Sequence, residues 1–299
     1  TKAILKIGLK IPGLSGIFKG KLREAAGFAN VRFAITGAAP INPNILSLFH
    51  ELDIPLFEGY GMTENTAGAS LNYVGHNKIG SVGKAIPNTE IKIAEDGEIL
   101  LKGDHVMPGY YNNHDATNET IIDGWLHTGD VGKLDDDGYL YITGRKKEIY
   151  VSSAGKNIAP LVIEETMKSI PIISQCFLVG DNRKYCSALF TLDVSVILRD
   201  KLGIDSNTIP KDPAAQLSML NENGHKLSDY TDSSVIFEEV KASVDELNNQ
   251  FSNPEQLKKF SILPRDFTID DGELTPTLKI RRKQINENWA EIIEKMYAE

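Results

Sequence analysis

Apolar and polar positions change period several times along this chain, and each change marks an element. Val31 to Thr36 (VRFAIT) has the pattern of a buried strand. The small residues Gly37-Ala38-Ala39-Pro40 form a loop after it. Asn42-Pro43 then opens a helix to about Leu52, with Asn as cap and Pro at the first helical position. Pro55 to Glu58 is a short strand, and Gly59-Tyr60-Gly61-Met62-Thr63-Glu64 leaves its carboxyl end. Strand, helix and strand in that order predict an α/β unit, and such sheets bind ligands at the carboxyl ends of their strands.

From Ile79 to Gly103 the apolar runs shorten: SVGKAIP, TEIKI, a turn at Glu95-Asp96-Gly97, then EILLKG. This predicts an antiparallel meander curled into a small distorted β-barrel. Asp115 to Ile122 is a brief helix. The stretch Asp123 to Lys147 contains a strand, the turn Asp135-Asp136-Asp137-Gly138 and a second strand from Tyr139 to Thr143, a hairpin with a DG signal. Beyond Lys147 the pattern is that of a separate α+β domain. IYVSSAGKNIAP is a strand and a glycine-containing loop, and Pro160 to Ile170 is a helix. Gln175–Val179, Cys186–Leu192 and Phe260–Leu263 are strands, Val235 to Phe251 is a long helix, and a terminal helix reaches about Tyr297. Residues 198–232 are polar and read as a surface insertion. The expected division is therefore residues 1–144 and 145–299, an α/β portion with a barrel followed by a small mobile α+β domain.

Composition narrows the class. The chain is 41% hydrophobic and 24% charged with a net charge of −9, which is soluble composition long enough for about two domains. The acidic balance argues against a nucleic-acid partner, and no apolar run is long enough to span a bilayer. Cys176 and Cys186 each sit in an apolar run and read as buried thiols of a reducing, cytoplasmic compartment. The six histidines have no metal-ligand spacing. Residues 1–23 interleave cations with apolar residues and hold no acid. Such a segment can touch an anionic membrane, but Pro12, Gly13 and Gly16 interrupt it, which favours a packed helix–turn segment.

Candidate chemistry clusters at three places. In GYGMTEN, glycines allow backbone to wrap a ligand closely, Tyr60 offers a stacking face, Thr63 a hydroxyl for phosphate, and Glu64 a hard oxygen for Mg2+. A Gly-rich turn beside a helix cap is the plainer reading. In DGWLHTGD, Asp130 follows a Thr-Gly turn and can accept hydrogen bonds from a vicinal diol such as ribose; an ordinary turn aspartate would look the same. Arg145-Lys146-Lys147 after Gly144 reads alone as a solvated basic face. In LTPTLKIRR, Lys279 follows a Pro-Thr turn, a weak signal by itself.

Taken in order, GAAP, GYGMTE, DGWLHTGD, GRKKE and TPTLK resemble the adenylate-forming superfamily of acyl-CoA synthetases, peptide-synthetase adenylation domains and luciferases. Within it the chain looks most like long-chain fatty-acid–CoA ligases of the bubblegum type. The hairpin departs from the commonest signature at Leu134, Asp136, Tyr141 and Thr143-Gly144, which bears on the subfamily rather than the chemistry. The resemblance implies ATP, Mg2+ and coenzyme A acting with a fatty acid. Gly37, Ala38, Ala39, Glu58, Gly59, Tyr60 and Gly61 would surround adenine. Thr63 would hold phosphate and Glu64 the Mg2+, while Asp130 and Arg145 would bind ribose. Lys147 would be the hinge, Lys279 the lysine that orients the substrate carboxylate, and Ser152, Ser153, Gly155 and Lys156 would lie near the CoA tunnel. The family's Ser/Thr/Gly-rich loop ending in Pro-Lys-Gly is absent from these 299 residues. The resemblance therefore implies the C-terminal half of such an enzyme, unable to form an adenylate alone. Two rivals stay open: a non-catalytic nucleotide-binding module of the same fold, and a ligase for another carboxylic acid.

Overall fold

The computed structural model describes residues 15–37, 41, 43–151 and 155–298. Its contacts divide the chain into two compact units, Thr1–Lys147 and Glu148–Glu299. The division falls three residues beyond the break expected after Gly144. Arg145 and Lys146 are ion-paired to Asp130, Asp96 and Glu98, which ties them to the first unit.

In the first unit, helix α1 (Ser15–Ala25) carries Lys19 within 3.0 Å of Asp53. Most of the basic segment foreseen as a packed helix–turn or membrane contact lies outside the described residues. Strand β1 (Ala34–Thr36), helix α2 (Pro43–Glu51) and strand β2 (Leu56–Tyr60) form the expected crossover, with β1 and β2 parallel. Two short strands, β3 (Ser70–Leu71) and β4 (Lys84–Ala85), add antiparallel to β2 to give the order β1-β2-β3-β4. A second sheet holds β5 (Glu90–Ile93), β6 (Glu98–Lys102), β7 (Ile121–Ile122), β8 (Trp125–Leu134) and β9 (Leu140–Arg145). Helix α3 (His114–Thr120) leads into β7 and is capped by the Asn113 side chain, which accepts from the Ala116 N–H.

The expected barrel is an open sheet. The order runs β5-β6-β8-β7 with β9 on β8, and β5 and β7 remain at opposite edges among the described strands. The physical reason lies in β8, which is long enough to serve two partners. Its first half pairs with β6 and β7, and its second half with β9. Val82 and Gly83 exchange hydrogen bonds with Leu140 at 2.8 Å and join the two sheets. Ala69, Ile99, Leu101, Leu126 and Leu140 fill the space between them.

The second unit opens with a two-stranded ladder, β10 (Tyr150–Val151) and β11 (Asn157–Ile158). Helix α4 (Pro160–Met167) follows. Strands β12 (Ile173–Val179), β13 (Cys186–Leu192) and β14 (Leu257–Ile262) form the central sheet, β13 antiparallel to β12 and parallel to β14. The two faces separate by alternation: Cys176, Leu178, Ala188 and Phe190 pack toward α4, and Phe177, Val179 and Leu189 toward the C-terminal helices. Both faces being covered explains why β13 is buried at every position. Cys176 and Cys186 are buried and unpaired. The polar 198–232 stretch is not irregular. It contains helices α5 (Pro213–Glu222) and α6 (Ser228–Thr231), whose Leu220 and Tyr230 join the core beside helix α7 (Ser234–Asn248). Helices α8 (Arg282–Asn288) and α9 (Ala290–Tyr297) close the chain. No described helix is long and apolar enough to cross a membrane.

Candidate nucleotide site and its supports

The carboxyl end of β2 supplies the first wall. Glu58 is buried, and its carboxylate accepts the Ile41 N–H at 3.4 Å. Burial pushes its pKa up, and the Ile41 hydrogen bond only partly opposes this. Gly37 and Gly59 meet across the β1–β2 pair, where a Cβ on Gly37 would lie 2.8 Å from the Gly59 carbonyl oxygen. Gly61 is tighter still. A Cβ there would stand 2.2 Å from the Ala67 carbonyl oxygen, so only glycine lets the chain fold back so closely. The turn it permits runs through a short 3-10 segment, Thr63–Asn65, closed by Ala67 N–H to Met62 O at 3.0 Å. Thr63 is exposed at this turn and Glu64 is half-buried. Glu64 accepts the Tyr110 hydroxyl at 2.9 Å and, through its backbone oxygen, the Met107 N–H at 2.7 Å. Ala38 and Ala39 lie outside the described residues.

The second wall is a bulge in β8. Glu98 of β6 pairs with Val131, and Leu100 with His127. Ile99 alone therefore faces Thr128, Gly129 and Asp130, which are pushed out of the β6–β8 ladder. Gly129 adopts φ +71°, a conformation that glycine takes without steric cost. Side chains take up several of the groups freed by the bulge. The Thr128 hydroxyl donates to Ile99 O at 2.7 Å and accepts the Asp130 N–H at 3.1 Å, and the Gly129 N–H donates to Glu98 at 2.9 Å.

The bulge aims the Asp130 side chain at the end of β2. Its carboxylate accepts the Tyr60 hydroxyl at 2.7 Å and Arg145 Nε at 3.1 Å. Asp130 and Arg145 are direct partners in the β8–β9 ladder, so the sheet register makes the pair. Asp130 is 7% exposed, whereas Arg145 is largely exposed. Burial raises the Tyr60 pKa, and the adjacent Asp130 charge raises it further, so Tyr60 remains a hydroxyl donor. Tyr60, expected as a stacking face, thus also tethers the carboxylate expected to meet ribose.

Glu98 was not visible as a site residue in the sequence. It is 5% exposed and accepts from Gly129 N–H, from His127 Nδ1 at 3.1 Å and from Lys146 Nζ at 3.0 Å. Lys146 also lies 2.6 Å from Asp96. Burial alone would raise the Glu98 pKa, but the bonds from His127, Lys146 and Gly129 outweigh it and hold the carboxyl below its ordinary value. The only signal was the turn residue Asp96, which orients the strand start by accepting the Glu98 N–H at 3.1 Å.

In the second unit, Lys279 is exposed on a loop whose base is fixed. Thr275 N–H donates to Lys279 O at 2.8 Å, the Lys279 N–H donates to the Thr275 hydroxyl at 3.0 Å, and Leu278 takes φ +61° at the turn. The loop rests on Glu273, which is fully buried. That carboxylate accepts two bonds from Arg265 at 2.7 and 3.0 Å, one from Trp289 Nε1 at 2.8 Å and one from Asn288 at 3.1 Å. Three residues past Lys279, Arg282 forms a bidentate pair with Glu164 at 2.6 and 2.7 Å. Burial disfavours the Arg282 cation, but Glu164 outweighs that and raises its pKa. Gly155 has φ +73° and Lys156 is exposed; Ser152 and Ser153 lie outside the described residues. Lys147 is the last residue of the first unit.

This arrangement can present a carboxylate and a guanidinium to a diol, and an exposed hydroxyl and a carboxylate to a metal-bound phosphate. No group of three or more His, Cys, Asp or Glu side chains suited to a metal occurs among the described residues. A single partly bonded carboxylate at Glu64 fits Mg2+ arriving with phosphates, which such ions retain as ligands, rather than an all-protein cage.

Comparison with known proteins bears on the family. Residues 13–111 match the AMP-binding enzyme family and residues 212–299 the AMP-binding enzyme C-terminal domain. A long-chain-fatty-acid–CoA ligase of Mycobacterium bovis, FadD15, is 40% identical over 277 residues, covering 93% of this chain and 44% of that protein. The rat long-chain-fatty-acid–CoA ligase ACSBG1 is 34% identical over 289 residues, covering 93% of this chain and 40% of that protein. The chain thus spans less than half the length of these relatives. Among solved structures, an o-succinylbenzoate–CoA synthetase of Bacillus subtilis with ATP and magnesium superposes with a TM-score of 0.59 at 23% identity, covering 95% of this chain and 49% of that one. At that identity the likeness is one of fold.

Proposed function

Because the chain belongs to the AMP-binding enzyme family, we propose that it serves an AMP-forming long-chain fatty-acid–CoA ligase. In that reaction a fatty-acid carboxylate oxygen attacks the α-phosphorus of ATP and diphosphate leaves. The thiol of CoA then attacks the acyl carbonyl and AMP leaves. The long-chain substrate class rests on the two ligases at 34–40% identity. The observation that carries the nucleotide role is Asp130, held between Tyr60 and Arg145 on a bulge that aims it at the end of β2.

In this reading Asp130 accepts the ribose hydroxyls and Arg145 orients them, since charge-assisted bonds are the stronger kind. Gly37, Gly59 and Gly61 keep the backbone close enough for a flat base. Thr63 donates to phosphate. Mg2+, held by Glu64 together with phosphate oxygens, would neutralise charge on the phosphates. Lys279, exposed on its braced loop, places a cation at the attacking carboxylate, where negative charge gathers. Lys147 acts as the hinge, where a few residues can absorb the backbone change between the half-reactions. Gly155 and Lys156 would border the CoA path.

The 299 residues include no Ser/Thr/Gly-rich loop ending in Pro-Lys-Gly. That favours a second reading for this polypeptide taken alone, a nucleotide-binding module without adenylating activity. One calorimetric experiment with two arms tests both. AMP titrated into the chain should bind, and Asp130→Ala should weaken binding at least ~tenfold, the loss expected for charge-assisted hydrogen bonds. Equal binding by both proteins would refute the ribose role. Fatty-acid-dependent heat from added ATP and Mg2+, with diphosphate release, would refute the second reading.

A further inference from the structure

Two adjacent cations close β9, and each meets a buried carboxylate of the β8 bulge region: Arg145 meets Asp130 and Lys146 meets Glu98. The backbone passes to the second unit just beyond, after Lys147. Glu98 touches both the bulge, through Gly129, and the cation next to the boundary, Lys146. One of its oxygens takes the Gly129 N–H and the other takes Lys146 Nζ and His127 Nδ1. Asp96 reinforces the arrangement twice, accepting the Glu98 N–H and pairing with Lys146.

We propose that Glu98 is a positioning residue that couples the Asp130 turn to the hinge, holding residues 145–146 to the first unit so that motion begins at Lys147. This rests on the nucleotide and hinge roles proposed above. The physical argument is one of shared acceptors. The half-buried Gly129 N–H has left the β6–β8 ladder and donates to Glu98 instead, and a partly buried donor that loses its partner carries a cost. The carboxylate itself is buried and needs compensating donors and cations. Removing Lys146 leaves the carboxylate with the Gly129 N–H and His127 Nδ1, so it can reorient toward them or toward water, and the turn that aims Asp130 loosens. Freeing the turn equally weakens the anchor of Lys146. A surface ion pair would transmit nothing, because exposed pairs are weak and screened; Glu98 differs in being buried and in bridging two backbone segments.

Amide hydrogen exchange on the full chain tests this without requiring activity. Three proteins are compared: wild type, Glu98→Gln and Lys146→Met. Glu98→Gln should speed exchange at Gly129 and across 144–148 by ~tenfold, the scale of one lost charge-assisted bond. Lys146→Met should speed both segments too, although Lys146 does not touch Gly129. Exchange at Leu100 and Leu101 in β6 and throughout β12–β13 should stay at the wild-type rate. A Lys146→Met protein with wild-type exchange at Gly129 overturns the coupling. So does a Glu98→Gln protein in which β6 opens as well, since that makes Glu98 merely structural. In a further arm, AMP should slow exchange across 144–148 in wild type and much less in Glu98→Gln, and equal slowing in both would overturn the coupling. If wild type binds no AMP, the nucleotide reading falls, while the AMP-free arms still decide the coupling.

Discussion

The buried pair Arg282–Glu164 offers a quantitative test of how the second unit is held. Glu164 is 3% exposed. It accepts both Arg282 amino groups and also the Leu178 N–H at 2.7 Å. Arg282 further reaches the Tyr150 hydroxyl at 3.2 Å and Glu148 at 3.3 Å. The guanidinium thus fastens the segment after the hinge, helix α4 and the segment after Lys279 to one point. Replacing Arg282 by Met keeps much of the volume against Phe177 and Tyr150 but strands the Glu164 charge. Breaking a buried pair from one side costs about 3–5 kcal/mol. The second unit, Glu148–Glu299, falls in the size class where 1 kcal/mol moves Tm by about 2–4 °C, so the fall should be about 6–20 °C. The assay is thermal unfolding followed by indole fluorescence in a Trp125→Phe background, which leaves Trp289 as the reporter of this unit. Adding Glu164→Gln to Arg282→Met removes the stranded charge while keeping an acceptor for Leu178, and should recover at least half of the loss. A loss under about 1 kcal/mol in Arg282→Met, or a double variant no more stable than the single, would refute the reasoning.

Two further outcomes concern the first unit. Gly61→Ala forces a methyl against the Ala67 carbonyl and should cost about 1–3 kcal/mol, as overpacking does; Trp125 fluorescence in a Trp289→Phe background should report it, with the second unit's melting unchanged. Because the folded-state pKa of Glu98 lies below its ordinary 4.5, its contribution is present above that value and is lost as pH falls through the lower, folded one. The first unit should therefore destabilise below pH 4.5, and Glu98→Gln should flatten that part of the stability–pH profile; an unchanged profile would show that Glu98 does not carry it.

What could be read in the sequence was local. The Asn-Pro signal pointed to a helix beginning at Pro43, which together with the two flanking apolar runs yielded the crossover, although Asn42 itself lies outside the described residues; the DG turn yielded the β8–β9 hairpin. That hairpin in turn placed Asp130 opposite Arg145, because residues near a short turn have few registers available. What could not be read depended on distant partners. Glu98, Glu164 and Glu273 carry no burial signal in the sequence, because an acid is normally found on the surface. Their burial is decided by Lys146, Arg282 and Arg265, and the first two of these lie 48 and 118 residues away. The bulge at Thr128–Asp130 was hidden for the same reason, since a bulge is a mismatch between two strands and exists in neither alone. Residues 198–232 read as a surface insertion because Leu220 and Tyr230 are sparse in a polar segment, yet each meets a core formed with other elements.

The three buried carboxylates share one construction, and it bears on why they are there. Glu98 takes the Gly129 N–H and Lys146, Glu164 takes the Leu178 N–H and Arg282, and Glu273 takes the Thr268 N–H and Arg265. In each case one acid joins a backbone amide to a cation, which for Glu98 and Glu164 comes from a distant segment. Stability is a weak explanation, because a buried ion pair often does no better than well-packed apolar side chains of the same volume. Geometry is a stronger one. An apolar cluster can slide with little penalty, whereas a carboxylate that must satisfy an amide and a cation together fixes both to within hydrogen-bond tolerance. The segments so fixed are the Asp130 turn beside the unit boundary, the chain immediately after Lys279, and the loop that bears Lys279. These are the places where a small displacement would cost the proposed chemistry most, since a misplacement of about 1 Å can cost a hundredfold in rate. On this argument the acids serve to hold positions, so one-sided substitutions should damage function well beyond what their effect on melting would suggest.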